Sequence, residues 1–105
     1  MTMWDWYEPY EIRCPDCDGV FWRWRGIDGP NLMFTWRQDA RHPVDHDVDE
    51  GFRIEPSRWD EFELPRLFLI EATGGGHRAT ATGECVEGVW RRTYLHHGSS
   101  SGCPG

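Results

Sequence analysis

The chain contains no lysine: all 11 of its basic residues are arginine, against 18 acidic ones. That absence excludes P-loop nucleotide hydrolysis, which needs a lysine after its glycine loop, and it excludes Schiff-base, pyridoxal and Ser-Lys mechanisms. The missing lysine is most simply a trait of a GC-rich genome. Long apolar runs are missing too. The longest is Leu67, Phe68, Leu69 and Ile70, against the roughly 20 residues of a membrane-spanning helix, so no membrane association is expected. Residues 1–10 lack a basic stretch followed by an apolar one, so no secretory signal is expected either. The expected setting is cytoplasmic, with reduced thiols.

What is present is aromatic and acidic. Fifteen aromatic residues, seven of them Trp, stand in a chain of 105 residues that is only 38% apolar, so large rings must supply most of a modest core. The net charge of -7 is uneven: residues 1–12 carry -3, 13–41 carry +1, 42–71 carry -6 and 72–105 carry +1. A nucleic-acid binder shows a basic face, which this balance disfavours.

Residues 20–25 alternate Val20, Trp22, Trp24 against Phe21, Arg23, Arg25, and residues 32–37 alternate Leu32, Phe34, Trp36 against Met33, Thr35, Arg37. Both have the period of a half-buried strand, and the Gly- and Pro-containing segment between them predicts a hairpin. A short strand is expected over 52–55, then one helical turn from Ser57 that Pro65 ends. An unbroken apolar strand over 66–72 should lie centrally in the sheet. Gly74–Gly76 then turns the chain into a strand over 78–86, where Gly83 predicts a bulge, and Glu87-Gly88 turns it again into 89–95. The fold class predicted is mainly β: one small antiparallel sheet or partly open barrel of about six short strands, with at most one short helical turn. Residues 1–97 form a single domain, and 98–105, rich in Gly and Ser, a flexible tail.

Cys14-Pro15-Asp16-Cys17-Asp18-Gly19 is a C-x2-C turn opening into a strand, a spacing that brings both sulfurs within about 2.3 Å of one Zn2+ ion. The segment resembles the zinc knuckle of the zinc-ribbon families, differing in having Asp18 before the glycine and no second C-x2-C. The resemblance implies a structural zinc ion held by Cys14 and Cys17. Hairpin register supplies candidates for the other ligands. If Trp22 faces Trp36, Cys17 lies opposite Arg41 and Cys14 opposite Val44, with His42 between them and His46 following, so His42 and His46 complete a Cys2His2 set. Cys85 and His77 are the alternatives, at opposite ends of one strand. A redox dithiol is a weaker reading, because no helix start follows to lower a thiol pKa.

Asp45, Asp47, Asp49 and Glu50 read as a solvated acidic loop. His77, His96 and His97 converge if the last hairpin turns at 87–88, without an accompanying nucleophile. The Trp/Arg run over 21–25 offers rings for base stacking, although a buried Trp face and a solvated Arg face is the plainer reading. Trp4, Trp6, Tyr7 and Tyr10 are more aromatic surface than a short acidic extension needs, and with Arg23 and Arg25 they are the candidate contacts for a partner. The function expected is a small non-catalytic, zinc-stabilised binding or adaptor protein, of the bacterial or phage accessory, inhibitor or immunity type, acting on a protein partner. The alternative is a zinc-ribbon nucleic-acid binder using the Trp/Arg hairpin. A metal-dependent hydrolase ranks last.

Overall fold

The computed structural model describes residues 3–14, 19–21, 23–74 and 77–96, with the backbone alone at 73, 74, 77 and 78. The fold is mainly β: β1 (Asp5–Glu8), β2 (Trp24–Gly26), β3 (Phe34–Arg37), β4 (Asp45–His46), β5 (Leu67–Gly74), β6 (His77–Val86) and β7 (Val89–Leu95). These form one seven-stranded sheet in the order β4-β3-β1-β2-β5-β6-β7, curled into a half-barrel. Two 3-10 turns, Glu50–Phe52 and Pro56–Glu61, complete the described regular structure. The predicted tail over 98–105 lies outside the described residues.

The C-terminal meander is as the sequence predicts. β5 pairs antiparallel with β2 and β6, so it is interior to the sheet. Glu87 and Gly88 both have positive φ, 53° and 79°, the conformation of a tight hairpin turn whose twist matches the strands it joins. A register shift between Glu84 and Cys85 slips the pairing of β6 with β7 by one residue. Gly83 has a different task from the one predicted. The Phe68 ring lies across it, and a β-carbon there would come within 2.2 Å of that ring.

The predicted hairpin of 20–25 with 32–37 does not form, because β1 lies between its two arms. β1 pairs antiparallel with β2 and parallel with β3, so the sheet is mixed and the N-terminal segment is central in it. Two backbone reversals explain the lost pattern. Arg23 and Met33 have φ of 47° and 65°, which ends regular strand on the N-terminal side of Trp24 and of Phe34. The kink at Arg23 puts both Phe21 and Trp24 in the core, breaking strict alternation. The strand predicted over 52–55 is also absent: Phe52 closes a 3-10 turn and is 79% exposed. The turn predicted from Ser57 is present as 3-10 helix, led by Pro56, and it buries Trp59.

The core fills the inside of the curl with Tyr7, Trp24, Phe34, Trp36, Phe68, Ile70 and Trp90. Tyr7 stacks on Phe68 at 5.2 Å and meets Trp90 edge-on at 5.9 Å. Ala72, Ala79 and Ala81 leave room for these rings. The segment after β3 crosses to β7 and clasps the open side. Asp39 N–H donates to Trp90 O at 2.7 Å and Gln38 Nε2 donates to Arg91 O at 2.8 Å. The Thr93 hydroxyl and the Tyr10 amide both donate to Gln38 Oε1. The Tyr10 hydroxyl and the Arg91 guanidinium meet on the Asp39 carboxylate.

Candidate protein-binding groove

The two faces of β1 do different work. Asp5 and Tyr7 point into the core, and Trp6 and Glu8 lie on the outer face. Asp5, 0% exposed, accepts four hydrogen bonds of 3.0–3.1 Å, from the amides of Asn31, Leu32 and Phe34 and from the Trp36 indole. It thereby fixes the turn before β3 and holds β3 alongside β1. Gly29 closes over this centre, where a β-carbon would come within 2.7 Å of the Tyr7 hydroxyl and 2.8 Å of Asp5 Oδ2. Burial first, then the Asp5 and Asp28 carboxylates, push the Tyr7 phenol far above its ordinary pKa.

On the outer face Trp4 and Trp6 meet edge to face at 5.7 Å. The Arg23 guanidinium sits 4.3 Å from the centre of the Trp6 ring and that of Arg25 5.5 Å from Trp4. This cation–π ladder holds the left-handed Arg23 backbone against β1. Glu8 and Arg37 pair across β1 and β3 at 3.1 Å. A groove of about 890 Å³ runs over this face. Trp6 and Thr35 line it between a wall that includes Tyr10, Ile12 and Val20 and a wall formed by Val44, Asp45 and Asp47. Asp45 accepts a hydrogen bond from the His46 amide through Oδ1.

The expected partner contacts are therefore divided. Trp4, Trp6, Tyr10, Arg23 and Arg25 come together on or beside the outer face, Tyr10 being 63% exposed. Tyr7 does not join them, because the alternation of β1 turns it into the core. Trp22 lies outside the described residues. The residue that the sequence reading missed is Asp5, which resembles any acid in an acidic segment; Asp45 and Asp47, expected in a solvated acidic loop, are exposed and line the groove.

The zinc-ribbon resemblance is overturned. Among the described residues no three His, Cys, Asp or Glu side chains gather as metal ligands, and the expected ligands whose side chains are described are placed elsewhere. Cys14 is buried in the apolar core. His46 is 4% exposed and stacks on Phe34 at 4.4 Å. Its Nδ1 accepts from the Ile54 amide at 3.2 Å, so Nε2 carries the proton donated to Leu32 O at 2.8 Å. Neither nitrogen retains a lone pair for a metal. His42 is exposed, with Nδ1 3.0 Å from Pro43 O. The register that would set His42 between the cysteines required the β2–β3 hairpin, which β1 displaces. Cys17 lies outside the described residues. Of the alternatives, His77 and Cys85 stand at opposite ends of β6, and burial among core residues pushes the Cys85 thiol pKa up. His97 is outside the described residues, and His96 Nε2 lies 2.7 Å from the Thr82 hydroxyl.

No helix among the described residues is long and apolar enough to cross a membrane. Comparison of the chain with protein-family models, with curated proteins and with solved structures found no match.

Proposed function

We propose that the protein is a non-catalytic binding or adaptor module, of the accessory or inhibitor type, whose groove over β1 and β3 takes an extended, cationic segment of a partner protein. The observation that carries this reading is the groove itself: about 890 Å³, open, lined by the apolar Ile12 and Val20 and by the carboxylates of Asp45 and Asp47. An extended chain presents alternate side chains to such a groove. A Lys or Arg reaching Asp45 or Asp47 and an aliphatic residue against Ile12 and Val20 satisfy both features. The groups with displaced pKa values support a binding role over catalysis, since each has a structural cause. Tyr7 and Cys85 are displaced by core burial, Tyr10 and Asp39 by the clasp they share, and Arg92 by Tyr94 and Glu84 beside it.

Base stacking is the less supported reading, because Arg23 and Arg25 already cover the Trp6 and Trp4 rings. The test is selection of random peptides displayed on phage against the immobilised chain, followed by titration of the selected peptides. Selected peptides should be enriched in Arg and Lys. Asp45→Lys with Asp47→Lys, both exposed, should weaken their binding at least about tenfold, or about 1.4 kcal/mol. Peptides without a basic bias, or binding indifferent to both substitutions, would refute this reading.

A further inference from the structure

A second surface, on the outer face of β5, β6 and β7 and away from the base of the groove, carries a different feature. Leu67 and Leu69 on β5 are 56% and 52% exposed, Tyr94 on β7 is 49% exposed, and Ile27, at the end of β2, is 64% exposed. Strand register makes them one patch. Leu69 faces Thr82 across the first ladder and Thr82 faces Tyr94 across the next. Half-buried Thr82 thus forms a low step between Leu69 and Tyr94. Beside Leu69 lies a hollow of about 480 Å³, bordered by Trp4 and Ile27. Exposed apolar residues gathered in this way on one sheet face favour docking of another surface.

The charges around the patch identify what docks. Register sets Arg25 opposite Glu71 and Glu84 opposite Arg92. The pairs Arg25–Glu71 and Arg92–Glu84 close at 3.5 and 3.4 Å. These two pairs cancel, and with Asp28, whose carboxylate accepts from the Leu69 amide at 2.8 Å, the patch is still far less negative than the chain as a whole, whose net charge is -7. Two copies of so acidic a chain repel each other over most of their surfaces and can approach where that charge cancels. The balance is also arranged for self-recognition. The Arg25–Glu71 row and the Glu84–Arg92 row flank Leu69 on opposite sides along the strands. A two-fold axis lying between the two sheets, oblique to the strands and passing over Leu69, sets that residue on its own mate and Arg25 of one copy against Glu84 of the other, with the strands of the two sheets crossing steeply.

We propose that the outer face of β5–β7 is the contact surface of a homodimer, formed by two sheets packed face to face about a two-fold axis at Leu69. The hollow beside Trp4 and Ile27 receives a leucine of the second copy. This surface is independent of the groove reading, and a failure of either leaves the other standing.

Sedimentation velocity of the full chain across roughly 1–100 µM tests it. The wild type should pass from monomer to dimer over that range, and Leu69→Arg should raise the dimer dissociation constant at least about tenfold while leaving the melting temperature of the dilute protein unchanged. Arg25→Glu alone and Glu84→Arg alone should each be monomeric, since each sets like charges together twice in its own dimer. Mixing those two variants restores opposite charges at both contacts and should restore the dimer, a rescue that no contact within one chain produces. A monomeric wild type, a dimer indifferent to Leu69→Arg, or a mixture that stays monomeric would each overturn the proposal.

Discussion

At position 5 a carboxylate without exposed surface accepts hydrogen bonds from three main-chain amides and the Trp36 indole. A buried acceptor of this kind costs desolvation and is sustained only when its donors are all in place. Asp5→Asn keeps the shape but replaces one acceptor oxygen by a donor, which then faces N–H groups. It should lower the free energy of unfolding by at least about 3 kcal/mol. Asp5→Ala, which orphans all four donors, should cost more, while Glu8→Gln on the outer face of the same strand should cost under about 1 kcal/mol. Urea unfolding followed by Trp fluorescence measures all three. Equal midpoints for Asp5→Asn and Glu8→Gln would show that Asp5 does not organise β1 and β3. The same residue explains why β1 was hard to read. Hydropathy places Trp inward and Asp outward, and here Asp5 is in the core while Trp6 lies under Arg23, so the pattern reads inverted.

Among the elements, the three strands of the meander were readable because each signal is local. An apolar run gave β5, and turn residues at Glu87-Gly88 marked the hairpin of β6 and β7. β1, β2 and β3 depend on partners far along the chain, and nothing within 20–37 announces that a strand from the N-terminus separates its two arms. The zinc reading failed for the same reason, since its histidines were placed by a hairpin register that β1 displaces. The groove was legible in part: its tryptophan, tyrosine and Arg23 were singled out, whereas its acidic wall needs β4 beside β3 to become a wall. Within the meander, Gly83 supplies an element-scale prediction. Gly83→Ala forces the Phe68 ring from its place over Gly83 and should cost about 1–3 kcal/mol. Combined with Phe68→Leu, which vacates the slot, it should cost less than the sum of the two separate changes. Thermal denaturation of the four proteins completes that cycle, and strict additivity would show that the ring does not occupy the glycine's space.

For the molecule as a whole, the clasp between the segment after β3 and strand β7 determines whether the curled sheet stays closed. It joins two parts of the chain that are distant in sequence, through the hydrogen bonds of Gln38 and through Tyr10, Asp39 and Arg91. The hydrogen bonds from Tyr10 and then Arg91 hold the Asp39 carboxyl below its usual pKa, and the bond to Asp39 holds the Tyr10 phenol above its own. The two shifts act at opposite ends of the pH scale. A depressed carboxyl contributes stability that is present above its unfolded value, about 4, and is lost as pH falls through the lower native value. A raised phenol contributes stability that is present below about 10 and is lost as pH rises through the higher native value. Closure should therefore hold across the interval between them and loosen at both ends, beginning at the β7 edge. Hydrogen exchange of the β7 amides, corrected for intrinsic rates, reads this out. Protection should fall below about pH 4 and above about pH 10 in the wild type. Asp39→Asn should remove the acid-side loss specific to this edge, and Tyr10→Phe the alkaline one. If Tyr10→Phe keeps the wild-type alkaline profile, the phenol takes no part in closure and Gln38 and the main-chain bonds to Trp90 and Arg91 close the half-barrel without it.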